Sequence, residues 1–194
     1  MSQLKAIIGL ANPGPDYAAT RHNAGAWVVE RLAQRSGNEL RPEKKFLGLY
    51  AKVRLDGHDL HLLEPTTFMN RSGGAVAALC QFFKLAPDEL LVAHDELDIA
   101  PGTARYKTGG GHGGHNGLRD TISALGNDRS FHRLRVGIGH PGDARQVTQY
   151  VLGRPGKAEL AAIEAAIDES LTTLPLAVTG NWAQAMNRLH SFKG

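Results

Sequence analysis

The sequence predicts an α/β fold: a single globular domain with a twisted mixed β-sheet flanked by helices. Three observations lead there. Short apolar runs of strand length alternate with stretches of helical spacing, the pattern of strands connected through helices. No internal repeat, low-complexity tract or linker divides the chain, so residues 1–194 read as one unit. A chain of 194 residues, 42% hydrophobic and 21% charged, has the make-up of an ordinary globular domain with a core of normal size.

The elements follow in order. Leu4 to Leu10 is short and apolar and closes on Asn12-Pro13-Gly14-Pro15, a strand running into a turn. Trp27, Val28 and Leu32 stand at helical spacing, which predicts a helix over Ala24 to Ala33. Leu47 to Leu55 and His61 to Leu63 read as two strands joined by an Asp56-Gly57 turn. Ser72 to Phe83 reads as a helix with Ser72 as its N-cap, and Leu90 to Ala93 as a short buried strand. Thr103 to Lys107 is a further strand, followed by a glycine-rich loop and a helix from about Leu118 to Leu125. Arg133 to Ile138 alternates as a strand does. From about Lys157 the chain is helical, with Pro175 and Gly180 interrupting it.

Composition excludes several classes. No apolar run approaches the length that spans a bilayer. The opening MSQLKAIIGL ends at once in a glycine-proline turn, which suits a first strand and not a signal peptide. Cys80 is the one cysteine, so an internal disulfide and a cysteine-rich zinc site are both ruled out. It sits in AVAALCQFF, where a thiol packs as a small hydrophobe. The net charge of +3 permits a polyanionic partner without requiring one.

The unusual polar residues fall in four loops at strand ends, where α/β folds place their sites. The first runs from Gly9 through Asn12, Pro13, Gly14 and Tyr17 to His22 and Asn23. It lacks the G-x-G-x-x-G spacing, no phosphate-loop lysine follows, and its proline removes a backbone donor. Taken alone, His22 is better explained by capping or bracing the helix that follows. The second loop, Pro65 to Gly74, holds Met69 and Asn70; Thr66, Thr67 and Asn70 can satisfy local backbone groups, and a methionine usually fills a core. The third is His94-Asp95-Glu96-Leu97-Asp98. Adjacent strand residues face opposite ways and converge poorly on one metal ion. Asp95, placed just past the strand, suits accepting a hydrogen bond from a distant histidine, while Glu96 and Asp98 read as capping or solvated. The fourth, Lys107 to Asp120, has five glycines in the six positions from Gly109 to Gly114 and leads into a helix start. Such a loop lets backbone approach a ligand, and the helix start favours an anion or developing oxyanion. His112 and His115 lie in it without a third ligand for zinc.

No G-x-S-x-G elbow is present, so a covalent acyl-enzyme lacks a nucleophile. A histidine, an aspartate and several asparagines remain. A His–Asp pair is a workable general base, and asparagine amides orient water and donate to an oxyanion. The set suits water attack on an activated ester and does not say which ester.

At the same four loops the sequence resembles the bacterial-type peptidyl-tRNA hydrolases. Tyr17-x-x-Thr20-Arg21-His22-Asn23-x-Gly25 and Gly111-x-x-x-His115-Asn116-Gly117-Leu118-Arg119-Asp120 match that family's signatures, and GLANPG, TTFMNRSG and HDELD look like its blocks in the same order. The resemblance runs from about Leu4 to Gly153. It implies a cytoplasmic, monomeric, cofactor-free enzyme that cleaves the ester between peptide and tRNA. Its partner would be peptidyl-tRNA, through acceptor stem, 3′ end and nascent peptide, with no membrane. By position, the resemblance makes His22 the general base and Asp95 its orienting carboxylate. It gives Asn12, Asn70 and Asn116 the substrate and the attacking water, Met69 the peptide channel, and Tyr17 and His115 the edge of the site. It further implies a basic clamp for the tRNA 5′ phosphate at Lys107 and Arg135, with Arg105 nearby. One departure stands out: after Gly142-Asp143, where relatives often carry a lysine, this chain has Ala144 and then Arg145. Three other readings compete. These are an RNA-binding module without catalysis, a metal-dependent hydrolase using His94, Asp95, His112 and His115, and a nucleotide-dependent oxidoreductase.

Overall fold

The structure is a computed structural model and describes residues 3–193. Among these, seven strands make one sheet: β1 (Ala6–Gly9), β2 (Arg41–Glu43), β3 (Gly48–Leu55), β4 (His58–Pro65), β5 (Leu90–Glu96), β6 (Ala104–Thr108) and β7 (His132–Gly137). Their order is β2-β3-β4-β1-β5-β7-β6. β4, β1, β5 and β7 run parallel, while β2, β3 and β6 are antiparallel to their neighbours, so the sheet is mixed as expected.

The helices α1 (Ala24–Arg35), α2 (Ser72–Phe83), α3 (Asn116–Ala124), α4 (Val147–Val151), α5 (Lys157–Val178) and α6 (Trp182–His190) cover both faces. α1, α5 and α6 pack on one side with Leu62, Leu91, Leu134 and Val136. α2 and α3 close the other side over Ile8, Leu63, Val92 and Phe131. Strand residues of alternate parity thus feed two cores, which is why the central strands are apolar runs and not alternating ones.

Every expected element is found, with four differences of substance. Asp56 and Gly57 both take positive φ, 48° and 81°, the turn that lets β3 and β4 pair as a hairpin. That pairing extends β4 well beyond His61 to Leu63 and adds the short edge strand β2, whose Arg-Pro-Glu carries no apolar pattern. β5 runs through Glu96, so Asp95 lies inside a strand and not just past one. α5 continues through Pro175. A proline inside a helix removes one hydrogen bond, and here the buried side of the helix, Leu171, Leu174, Ala177 and Val178, outweighs that loss. Only Gly180, at φ 86°, breaks the helical C-terminus. Ser72 does not cap α2; its hydroxyl donates back to the Met69 carbonyl at 2.7 Å. Asp120 of α3 takes the cap's role, accepting from Gly73 N–H at 2.8 Å. Among the described residues no helix is long and apolar enough to cross a membrane.

Candidate active site

The parallel strands β1, β4 and β5 bring their carboxyl ends to one edge, and the loops leaving them meet there. The first loop is held by Asn23, buried at 4% exposure, which pairs reciprocally with residue 12: its Oδ1 accepts from Asn12 N–H and its Nδ2 donates to Asn12 C=O, both at 2.9 Å. Behind it α1 lies so close to the sheet that a Cβ on Gly25 would sit 2.2 Å from the Ala93 carbonyl. This contact places His22, three residues earlier, above the end of β5.

His22 Nδ1 meets Asp95 Oδ2 at 2.8 Å, and His115 Nε2 meets Asp95 Oδ1 at 2.8 Å. One carboxylate therefore serves two histidines. The tautomers follow from the partners. His115 is the N-cap of α3, its Nδ1 accepting from the N–H groups of Gly117 and Leu118 at 3.1 and 3.2 Å. Its proton must sit on Nε2 and point at Asp95. Both its nitrogens are committed, so His115 cannot serve as the base. His22 donates from Nδ1 to Asp95 and keeps a lone pair on Nε2, which has no partner among the described residues.

Electrostatics sharpen the difference. Burial pulls the His22 pKa down, but the charge and hydrogen bond of Asp95 outweigh it and leave the pKa above 6.5. Burial opposes the Asp95 charge, yet the two histidines facing it hold the carboxyl well below the usual range. His94, one residue earlier, is fully buried; burial first, then nearby His115, pushes it down to about 3. It stays neutral at any working pH. Its Nδ1 faces the Asp95 carbonyl at 2.8 Å, and its Nε2 is without a partner.

Around this group opens a cleft of about 1290 Å³, lined by residues of all four loops. Asn12 Oδ1 accepts from Met69 N–H at 2.7 Å, tying the first loop to the second. Asn116 Oδ1 accepts from Arg119 at 3.0 Å. Neither amide nitrogen makes a hydrogen bond among the described residues, and neither does the side chain of Asn70. Three N–H₂ groups thus line the cleft with their donors uncommitted.

Residues 6–194 match the family described as peptidyl-tRNA hydrolase. The chain belongs to the peptidyl-tRNA hydrolase family. It is 79% identical over 192 residues to the peptidyl-tRNA hydrolase of Chromohalobacter salexigens, covering 99% of each chain. With that of Pectobacterium atrosepticum it shares 58% over 193 residues, 100% of this chain and 99% of the relative. A crystal structure of peptidyl-tRNA hydrolase from Acinetobacter baumannii superposes with a TM-score of 0.96 at 49% identity, covering 100% of this chain and 97% of that one.

For a member of the peptidyl-tRNA hydrolase family, the residues picked from sequence divide clearly. Asn12, His22, Met69, Asn70, Asp95, Lys107, His115, Asn116 and Arg135 all line the cleft. Tyr17 does not; it packs edge-on against Phe68, which does, at 6.3 Å between ring centroids. Arg105 is exposed on β6 and also lies outside the cleft lining. Glu96, read as merely capping or solvated, accepts from Arg135 Nε at 3.0 Å and so orients that guanidinium. Arg145 is paired with Asp143 at 3.0 Å and does not reach into the lining that Ala144 occupies.

The metal-site set of His94, Asp95, His112 and His115 is not assembled. His112 Nδ1 accepts from Gly114 N–H at 2.9 Å, and His94 is turned to its own strand. His22, Asp95 and His115 do bring ligand-type atoms within 4.8 Å of one another. They do not fit a cation there, because the His115 nitrogen facing Asp95 carries a proton and offers no lone pair. Sequence reasoning missed Arg133 and the apolar wall of Val147, Val151 and Leu152. Arg133 was read only as the start of a strand, and the five-residue helix α4 is too short for periodicity to reveal.

Proposed function

We propose that this member of the family hydrolyses the ester between peptide and tRNA with a water molecule activated by His22. The observation that carries it is the pairing of His22 with Asp95, which fixes Nδ1 and leaves Nε2, in the wall of the cleft, without a partner among the described residues. Nε2 takes a proton from water as the water oxygen bonds to the ester carbonyl carbon. Asp95 holds the ring in its tautomer and stabilises the imidazolium that forms. The carbonyl oxygen gains charge, and the free N–H₂ groups of Asn12, Asn70 and Asn116 stand ready to donate to it or to the water. One well-aimed donor of that kind contributes about 3 kcal/mol. The bond from carbonyl carbon to the ribose 3′ oxygen then breaks, and the imidazolium returns its proton to that oxygen. The products are a peptide carboxylate and a free 3′ hydroxyl.

The cleft lining suits both parts of such a substrate. Met69, Val147, Val151 and Leu152 offer apolar surface for peptide, and Lys107 and Arg135 offer cations for phosphate. A phosphate contact positions RNA without reading its sequence, which suits an enzyme that accepts many tRNAs. We place the activity in the cytoplasm, in a monomer built from one domain.

The test is release of free tRNA from purified peptidyl-tRNA with chelator present, native chain against His22→Ala. Turnover that survives chelation and drops at least about a hundredfold in the variant supports the assignment. Native turnover abolished by chelation would favour a metal-dependent hydrolase. Binding of tRNA without turnover would favour an RNA-binding module.

A further inference from the structure

The loop Gly109–Gly114 has little reason to hold one shape. Gly109, Gly110, Gly113 and Gly114 take positive φ between 57° and 100°, and glycine loses more conformational freedom on ordering than any other residue. Yet this loop lines the cleft and connects Lys107 to His115. Its middle is gripped from below. Arg133 of β7 is 2% exposed, and its two terminal nitrogens donate to the carbonyls of Gly110 and Gly111. Its guanidinium carbon lies over the Phe131 ring, 4.7 Å from the centroid, and its Nε is unpartnered.

Arg133 has no ion-pair partner among the described residues. Burial, and then Arg135 and Arg129 nearby, disfavour its charge and together outweigh the favourable field of Glu96. A buried cation with no carboxylate in direct contact is a poor stabiliser, and an apolar side chain would fill the space at lower cost. What an apolar residue cannot do is span two successive carbonyls with one planar fork.

We propose that Arg133 is a positioning residue for the reaction, fixing the path of the glycine loop and with it the reach from Lys107 to the His115–Asp95 pair. The inference rests on the hydrolytic role given above. Both ends of the loop depend on its middle. Lys107 lies against Gly110, where a Cβ would come within 2.8 Å of its Cε and 2.9 Å of its Nζ. On the other side His115 N–H donates to the His112 carbonyl at 2.9 Å, and the His115 ring then turns to Asp95.

Two variants address the grip from opposite sides. Arg133→Lys keeps the charge but cannot bridge both carbonyls. Gly110→Ala disturbs the same contact from an exposed position and leaves the core intact. Amide hydrogen exchange over residues 109–118 and steady-state kinetics on peptidyl-tRNA are measured for each. Both variants are expected to speed loop exchange and lower kcat at least about tenfold; KM should stay within about threefold in Arg133→Lys, the signature of lost positioning and not of lost binding, and rise in Gly110→Ala only through the displaced Lys107. Should Arg133→Lys fail to fold, Gly110→Ala decides. Unchanged loop exchange overturns the proposal. So does faster exchange with kcat intact, which would make the contact merely structural, or a rise in KM alone, which would make Arg133 an anion-binding group. Absence of turnover in the native chain would remove the hydrolytic role itself, and with it the proposal, whatever the exchange shows.

Discussion

At the scale of residues, the site turns on which nitrogen of which histidine is free. His22 and His115 contact the same carboxylate at the same 2.8 Å, and only the other end of each ring separates their roles. Asp95 accepts from both. An asparagine in its place would offer one acceptor and one donor, so one histidine would face an N–H with an N–H. Asp95→Asn is expected to cost at least about a hundredfold in kcat, measured by tRNA release, with the fold retained. The same pair sets a pH dependence. In its proposed role as base His22 must be neutral, and Asp95 holds its pKa above 6.5. kcat/KM should therefore rise with pH through an inflection above 6.5. In Asp95→Asn only burial remains to act strongly on the ring, and burial lowers its pKa. An NMR titration of His22 should move below 6.5 in that variant. A midpoint that stays put would remove Asp95 as the cause.

Elements decide whether these residues meet at all. α1 is pressed against β5 through Gly25, where a methyl group would overlap the Ala93 carbonyl at 2.2 Å. Backbone cannot yield as a flexible side chain does, so Gly25→Ala must lift the helix start that carries His22. The expected cost is about 1–3 kcal/mol of stability by denaturant unfolding, with a loss of kcat beyond what the remaining folded fraction accounts for. At α3 one ring serves the helix and the site together. His115→Asn keeps a side chain that caps a helix, while His115→Ala gives the cap up at about 1 kcal/mol. Unfolding should separate the two variants, and kcat should fall in both because Asp95 loses a donor in both. Sequence placed α1, α2 and β7 well because each has a clear apolar pattern. It missed β2 and α4, whose three and five residues are shorter than any periodicity can resolve. It misplaced the cap of α2 because Ser72 looks like a cap, and the partner that actually takes Gly73 N–H is 47 residues away.

For the whole molecule, the sheet gathers loops that lie up to about a hundred residues apart in sequence into one cleft lined by both apolar and cationic side chains. If Lys107 holds RNA phosphate, Lys107→Ala should weaken binding of all tRNAs alike and reduce the slope of log K against log salt by about one. An unchanged slope would take Lys107 out of the contact. Arg145→Ala should leave that slope nearly as it was, since its guanidinium is already satisfied by Asp143 on the exposed surface. The sequence by itself determined the α/β class and the family, because these are carried by local periodicity and by motifs several residues long. Tertiary structure alone decided that Asp95 serves two histidines, that His115 caps a helix and so cannot be the base, that Tyr17 and Arg105 stand outside the cleft, and that Arg133 grips the glycine loop. Each of these depends on where a hydrogen bond ends, and a sequence records donors and acceptors without saying which will be brought within 3 Å of one another.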